Sequence, residues 1–176
     1  MRSSEQNETR FTAWLADHHA ILRKLSRVYA ADVGDEDDLH QEMLVQLWRS
    51  LPRFRGQAQV STWIYRVCLN TALTWRRSRQ RREARVVTAQ GTEPEAVSPA
   101  AGPDEEHQRK ERLAALLGAV RALPPTDRSL VVLALDGLSH REIGEIMGMT
   151  ENHVGVALLR ARRKLGETLK GMNNEL

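Results

Sequence analysis

The chain of 176 residues carries a single cysteine, Cys68. One thiol cannot build a disulfide framework, so a reducing compartment is expected. Cys68 lies in an apolar stretch and is expected to serve as a small core residue. No run of about 18 apolar residues occurs, and the N-terminus lacks an apolar signal core. A cytoplasmic protein without membrane insertion is therefore expected. The histidines at 18, 19, 40, 107, 140 and 153 show no metal-ligand spacing. Adjacent His18 and His19 would point about 100° apart on a helix, so neither a metal nor a cofactor is expected. Glycine-rich phosphate loops, paired carboxylates and a nucleophile beside a base are missing as well, which argues against an enzyme. No strand alternation and no fixed-period repeat appear.

What is present is helical periodicity. Apolar residues between Phe11 and Ala31 fall at steps of three and four along one face. Gly34 is expected to break that helix, and the acidic run Asp35 to Asp38 to open the next, since anions stabilise the positive end of a helix dipole. Leu39, Met43, Leu44, Leu47, Trp48 and Leu51 continue the second helix until Pro52 stops it. Residues 52–60 have no period and read as a loop. Ser61 or Thr62 is expected to cap a third helix with Ile64, Val67, Cys68, Thr71, Ala72 and Trp75 inside. Residues 86–104, rich in proline, glycine, alanine and small polar residues, hold too little apolar content to pack and read as a flexible linker.

Four more helices follow. The first carries Leu113 to Leu123 and ends at Pro124-Pro125. Thr126 or Asp127 is expected to cap the second, and Gly137 to end it. Ser139 with Glu142 three residues on forms a capping-box pattern for the third, which Gly148 ends. Thr150 is expected to cap the last. The fold class is thus all-α: a three-helix N-terminal bundle (1–85), the linker (86–104), and a four-helix C-terminal domain (105–176). A domain of about 70 residues buries only about 60% of its unfolded surface and is marginal alone, which points to docking onto something larger.

Charge is close to balanced, Lys+Arg 26 against Asp+Glu 23, but it is segregated. Arginines at 76, 77, 79, 81, 82 and 85 crowd one stretch, and Arg160, Arg162, Arg163 and Lys164 another, while the acids cluster elsewhere. Separate basic surfaces suit nucleic acid. The helix from Ser61 to Arg82 joins Trp63, Tyr65, Asn70 and Trp75 to the arginine track, a pairing that suits single strands, whose bases stack on rings. For either tryptophan alone, core packing is the simpler reading. From His140 to Arg160, a small residue (Gly144), a turn glycine (Gly148) and Val154 stand at helix-turn-helix spacing. The basic residues beyond raise its value as a DNA reader, because they offer phosphate contacts.

Taken together, these segments resemble the extracytoplasmic-function sigma factors of the sigma-70 family over nearly the whole chain. Residues 37–49 (Asp-Asp-Leu-His-Gln-Glu-Met-Leu-Val-Gln-Leu-Trp-Arg) resemble the helix that binds core RNA polymerase. Phe54-Arg-Gly-Gln with residues 61–70 (Ser-Thr-Trp-Ile-Tyr-Arg-Val-Cys-Leu-Asn) resembles the reader of the promoter −10 element. Leu123 to Arg128, Gly137 to Gly148, and Val154 with Leu158 to Leu165 resemble the reader of the −35 element.

The resemblance implies roles. Asp38, Leu39, Gln41, Glu42 and Leu44 should meet the β′ clamp of polymerase, and the C-terminal domain its β flap. Phe54 and Asn70 should form a pocket for a flipped base, whose edge Asn can read as donor and acceptor. Trp63 should act at the point of melting, and Arg76 and Arg77 should hold nearby phosphates. Ser139, His140, Asn152, His153, Leu159, Arg160 and Arg163 should contact −35 DNA. The linker should run toward the RNA exit path, and an anti-sigma factor is an implied partner. Two departures stand out. Ile64 occupies the place of a second wedge tryptophan, which implies weaker melting. Gly155, Val156 and Ala157 stand where many relatives carry a basic residue, Ser and Arg, and cannot hydrogen-bond base edges. A plain helix-turn-helix regulator is the rival reading. It accounts for the C-terminal block but leaves the arginine helix and the Phe54 loop unused.

Overall fold

The computed structural model describes the backbone of residues 2–87 and 105–174. Its elements are α1 (Arg2–Tyr29), α2 (Val33–Ser50), a 3₁₀ turn (Leu51–Arg53), α3 (Val60–Val87), α4 (Glu105–Ala122), α5 (Pro125–Leu135), α6 (His140–Met147) and α7 (Glu151–Asn174). Among the described residues there is no strand, and no helix is long and apolar enough to cross a membrane. The linker expectation falls largely on residues 88–104, which lie outside the described residues.

Helix boundaries follow capping chemistry more closely than periodicity alone indicates. The break between α1 and α2 falls at residues 30–32, before Gly34. Asp32 is the N-cap: its carboxylate accepts from the Asp35 amide at 2.8 Å, so Gly34 lies inside the first turn. Ser61 and Thr62 are not the caps of α3, because the helix already begins at Val60, with the Trp63 amide bonded to the Gln59 carbonyl. Nor do Thr126 or Asp127 cap α5. Pro125 takes its first position, where a missing amide costs nothing, and no side chain caps it. The Ser139–Glu142 capping box and the left-handed Gly148 (φ 70°) are present as the sequence pattern predicts.

α1, α2 and α3 pack as one bundle around Leu22, Leu25, Leu39, Met43, Leu47, Ile64 and Cys68. α5, α6 and α7 pack around Leu130, Leu133, Ile143, Val154 and Leu158, with α4 laid across α7. The two bundles do not stand apart. α1 meets α4, α3 meets α6, and their buried residues join in one apolar core. Polar ties cross the same seam. Tyr29 and Ser129 share a buried hydroxyl–hydroxyl bond of 2.6 Å. Asp136, at the C-terminal end of α5, accepts from the Tyr65 hydroxyl at 2.8 Å and pairs with Lys24. Arg66 donates to the Glu145 carbonyl, and Arg121 to the Arg27 carbonyl at 2.6 Å. Two halves too small to bury their own apolar faces thus cover each other.

Cys68 is fully buried, and burial pushes its thiol up to about 12. Since the thiolate is the reactive form, native protein should resist iodoacetamide at pH 8 and react at the rate of unfolding. An unfolded cysteine ionises near about 8.5, so above that pH the unfolded chain sheds the proton first and stability falls as pH rises. Urea midpoints measured from pH 7 to 10 test this against Cys68→Ala, which should show a weaker decline.

Candidate nucleic-acid interface

The Phe54 loop follows the 3₁₀ turn and lays its ring into an aromatic triangle. Phe54 sits 5.1 Å from Trp14 and 5.2 Å from Trp63, and Trp14 sits 5.7 Å from Trp63. Ring contacts of this kind, edge-on for the two Trp14 pairs and tilted for Phe54–Trp63, add about 0.5–1.5 kcal/mol per pair beyond burial, so the loop is anchored. The Arg10 guanidinium caps the cluster, 4.8 Å from the Trp14 ring. Trp14 was legible in the sequence only as one apolar position of a helix.

Asn70 lies two turns further along α3, exposed, and lines a different cavity. That groove, about 530 Å³, runs between α2 and α3 and also takes in Glu42, Gln46, Thr74, Trp75 and Arg82. Phe54, expected to share a pocket with Asn70, is not among the residues that line this groove. Within the groove the Gln46 amide donates to Glu42 at 2.7 Å, and Arg82 lies 5.8 Å from the Trp75 ring. A ring, a cation and amide groups facing one groove can hold an unpaired base and its phosphate. Trp75, Gln46 and Arg82 extend the expected set. Trp75 and Arg82 were visible as part of the aromatic–arginine helix, whereas Gln46 needed the α2–α3 packing.

On α2, Asp38 and Gln41 are exposed, and Glu42 and Leu44 are half-buried. Leu39 requires a correction: it is wholly buried in the bundle core and its side chain is not available to a partner. Beyond Val33 at its first turn, the exposed large apolar side chains of α2 are Val45 and Trp48, about 40% exposed, one and two turns on from Gln41. Phe11 packs edge-on against Trp48 at 5.2 Å.

Of the arginines at the end of α3, Arg77 is exposed and Arg76 is half-buried. With Leu73 they face Pro125, Thr126, Ser129 and Met147 across a small cavity of about 150 Å³. Arg79 is drawn back to α2 by Asp32, at 3.4 Å, and Asp35.

In the C-terminal half, α6 and α7 form the helix-turn-helix. Gly144 is buried beneath the turn, and a Cβ there would stand 2.5 Å from the Met149 carbonyl oxygen. That carbonyl is backbone and cannot swing aside. Thr150 accepts from the His153 amide at 3.3 Å, opening α7. Val154, Leu158 and Ala161 face inward, and Asn152, His153, Leu159, Arg160 and Arg163 face solvent. Leu159 is 72% exposed and Val156 53%, an apolar pair on the outer face of the recognition helix. Arg163 lies 3.8 Å from Glu167. His140 stands over Gly155. The Ser139 hydroxyl is engaged in the capping box, donating to Glu142 at 2.6 Å and accepting from its amide at 3.3 Å. The hydroxyl first, and then the Ser139 amide donating at 2.8 Å, hold the Glu142 carboxyl below the usual carboxylate range.

Comparison with known proteins places these elements. The family description "Sigma-70 region 2" matches residues 11–82, and "Sigma-70, region 4" matches residues 113–165. The chain is 25% identical over 170 residues to RNA polymerase sigma factor NccH of Alcaligenes xylosoxydans, covering 96% of this chain and 91% of that protein. Against RNA polymerase sigma-H factor of Pseudomonas aeruginosa identity is 29% over 163 residues, covering 89% and 84%. Against ECF RNA polymerase sigma-E factor of Escherichia coli it is 29% over 153 residues, covering 84% and 79%. In fold it is similar to CnrH, solved in complex with the cytosolic domain of CnrY, with a TM-score of 0.68 at 21% identity over 97% of this chain and 94% of that one. It is also similar to RpoE of Bartonella quintana, solved with the anti-sigma factor NepR, with a TM-score of 0.65 at 21% identity over 93% and 96%.

Gly144→Ala should destabilise the helix-turn-helix by about 1–3 kcal/mol, the usual cost of overpacking. Urea unfolding checks this, and Gly166→Ala, where nothing lies within 4 Å, is the control expected to hold or gain stability.

Proposed function

The chain belongs to the sigma-70 family, in its extracytoplasmic-function group, and from that premise we propose that its two halves divide the work of promoter recognition. Residues 1–85 bind core polymerase and grip the −10 element, and residues 105–176 read the −35 element. Like its family, the protein is a transcription initiation factor. It brings specificity to polymerase and supplies no catalytic group of its own, working in the cytoplasm. The observation that carries this reading is the order of the two matched regions, each falling on one helical half.

Polymerase meets the outer face of α2. Asp38 and Gln41 supply polar contacts, and Val45 and Trp48 supply the desolvated anchor, a combination typical of binding hot spots. Leu39 acts from beneath by keeping α2 in place. Asn70, Trp75 and Arg82 hold an unpaired strand in the α2–α3 groove, while the Phe54–Trp63–Trp14 cluster fixes the loop beside it. Arg76 and Arg77 serve nearby phosphates. Asn152, His153, Leu159 and Arg160 enter the major groove. Leu159 and Val156 favour apolar contact, such as a thymine methyl, and Arg160 and Arg163 favour phosphates. Since the Ser139 hydroxyl caps α6, any contact it makes is secondary to that role. RpoE of Bartonella quintana is seen with an anti-sigma factor, and an anti-sigma partner is proposed for this chain on the same pattern.

Purified protein mixed with core polymerase should co-elute and direct promoter-dependent transcripts; absence of both rejects the reading. Asn70→Ala should relax preference at one −10 base by about 1–3 kcal/mol, the worth of a good bidentate base contact, with polymerase affinity unchanged. Equal loss for every base at every position would mark a packing role. Trp48→Ala should weaken polymerase binding about tenfold, close to 1.4 kcal/mol, with its helix content by circular dichroism intact. Leu39→Asp, in contrast, should abolish the cooperative unfolding of the N-terminal bundle itself.

A further inference from the structure

Arginines from both halves converge where α1 and α3 meet α4 and α5. Arg76 and Arg79 come from α3, Arg121 from the end of α4, and Arg128 from α5. Together with Tyr29 and Gln80 they line a cleft of about 220 Å³. The cleft is smaller than the range of about 300–1,000 Å³ usual for drug-sized ligands, so it suits a small ion.

The cations here are poorly matched by anions. Arg79 is answered by Asp32 and Asp35, and Glu36 acts on Arg121 from α2. Among the described residues Arg128 hydrogen-bonds to the carbonyls of Arg121 and Leu123 alone, and it lies 5.3 Å from the Tyr29 ring. Burial first, and then the like charge of Arg76, push the Arg128 guanidinium down to about 10. Among the described residues, Arg76 Nη1, Arg121 Nε and Arg128 Nε are all buried with no hydrogen-bond partner. A buried donor left unpaired is costly, and more so when charged. Three such donors around one cleft, on two different halves of the chain, form a concentrated unmet demand for an acceptor.

We propose that this cleft binds a small phosphate-class anion, of about diphosphate size, held by Arg76, Arg121 and Arg128 across the seam. Arginine forks match phosphate oxygens in pairs, and an ion bridging both halves offsets the repulsion among them. A DNA backbone phosphate shares this chemistry. A free anion is favoured because the cleft is walled by α1 and α3 on one side and by α4 and α5 on the other. Occupancy ties Arg76 to the C-terminal half and so withholds it from the unpaired strand. This last consequence rests on the role given to Arg76 above; the site itself does not.

The test uses the full chain and inorganic pyrophosphate at constant ionic strength. Wild-type Tm should rise saturably by several degrees, since a ligand that binds only the folded state stabilises it by mass action. Arg76→Gln and Arg121→Gln should each weaken binding at least tenfold by calorimetry. Arg121→Lys should recover part of it, and Arg81→Gln, an exposed arginine outside the cleft, should bind as wild type. Circular dichroism confirms that each variant is folded. A linear Tm response shared by wild type, Arg76→Gln and Arg121→Gln means a general salt effect and overturns the proposal. So does failure of pyrophosphate to bind while Arg121→Gln weakens binding of a single-stranded oligonucleotide, which assigns the cleft to DNA. In a second arm, pyrophosphate should lower oligonucleotide affinity for wild type but not for Arg121→Gln. Saturable binding without that competition keeps the anion site and rejects the DNA role of Arg76.

Discussion

Everything in this molecule depends on an apolar core that neither half owns. Tyr29 and Val28 from α1, and Tyr65 and Leu69 from α3, are buried in the same cluster as Val120, Leu123 and Val131 of the C-terminal half. A bundle of three helices leaves too much apolar surface uncovered to be secure alone. The docking seam is therefore part of the folding problem as well as an arrangement of finished domains. Its polar ties are placed where burial makes them matter. Asp136 closes α5 and reaches both Lys24 and Tyr65, and the Tyr29–Ser129 bond lies fully inside. Such groups must be paired once buried, so they set the register of one half on the other.

The seam is also an electrostatic compromise. The residues that make it apolar are followed at its edge by arginines facing one another. Arg76, Arg121 and Arg128 belong to different helices, and no carboxylate among the lining residues answers them. An interface built only from leucine and valine is hard to part, whereas one carrying buried like charge is easier to open.

Most of the architecture was legible in the residues. Period, proline and glycine marked seven helices, and the Ser139–Glu142 box, Gly148 and Thr150 behaved as their chemistry requires. What escaped was decided by neighbours distant in sequence. Asp32 displaced Gly34 as the boundary of α2 because a side-chain acceptor satisfies an amide, whereas glycine merely permits a bend. Leu39 stands beside exposed Asp38, and only the packing of α2 on α1 and α3 separates a core position from a contact position. Phe54 and Asn70 were grouped by resemblance, yet the loop ring is claimed by Trp14, a residue 40 positions away in sequence. The arginine cleft was invisible for the same reason: Arg121 and Arg128 looked unremarkable until α4 and α5 brought them to Arg76.

Geometry then constrains how the two readers can act together. Elements centred near −10 and −35 lie about 25 base pairs apart, which at 34–36 Å per turn of 10–10.5 base pairs is roughly 80 Å. A compact chain of this length has a radius of gyration of only about 16 Å. With α3 packed against α6, the groove and the recognition helix proposed as the two readers are carried on one packed body smaller than that span. Arg76 and Arg77 make the same point at residue scale, since the surface they would offer to a strand is faced by Pro125, Ser129 and Met147. Asp38, Gln41, Val45 and Trp48 of α2, and Asn152, His153, Leu159 and Arg160 of α7, stay exposed with the halves docked. On the function proposed above, polymerase would take hold of α2 while the halves remain docked, and its own dimensions would draw the C-terminal half toward the upstream element. In that order of events the apolar core shared by the halves would be exchanged for contacts with a larger body, and the arginines at the seam would be released to a single strand.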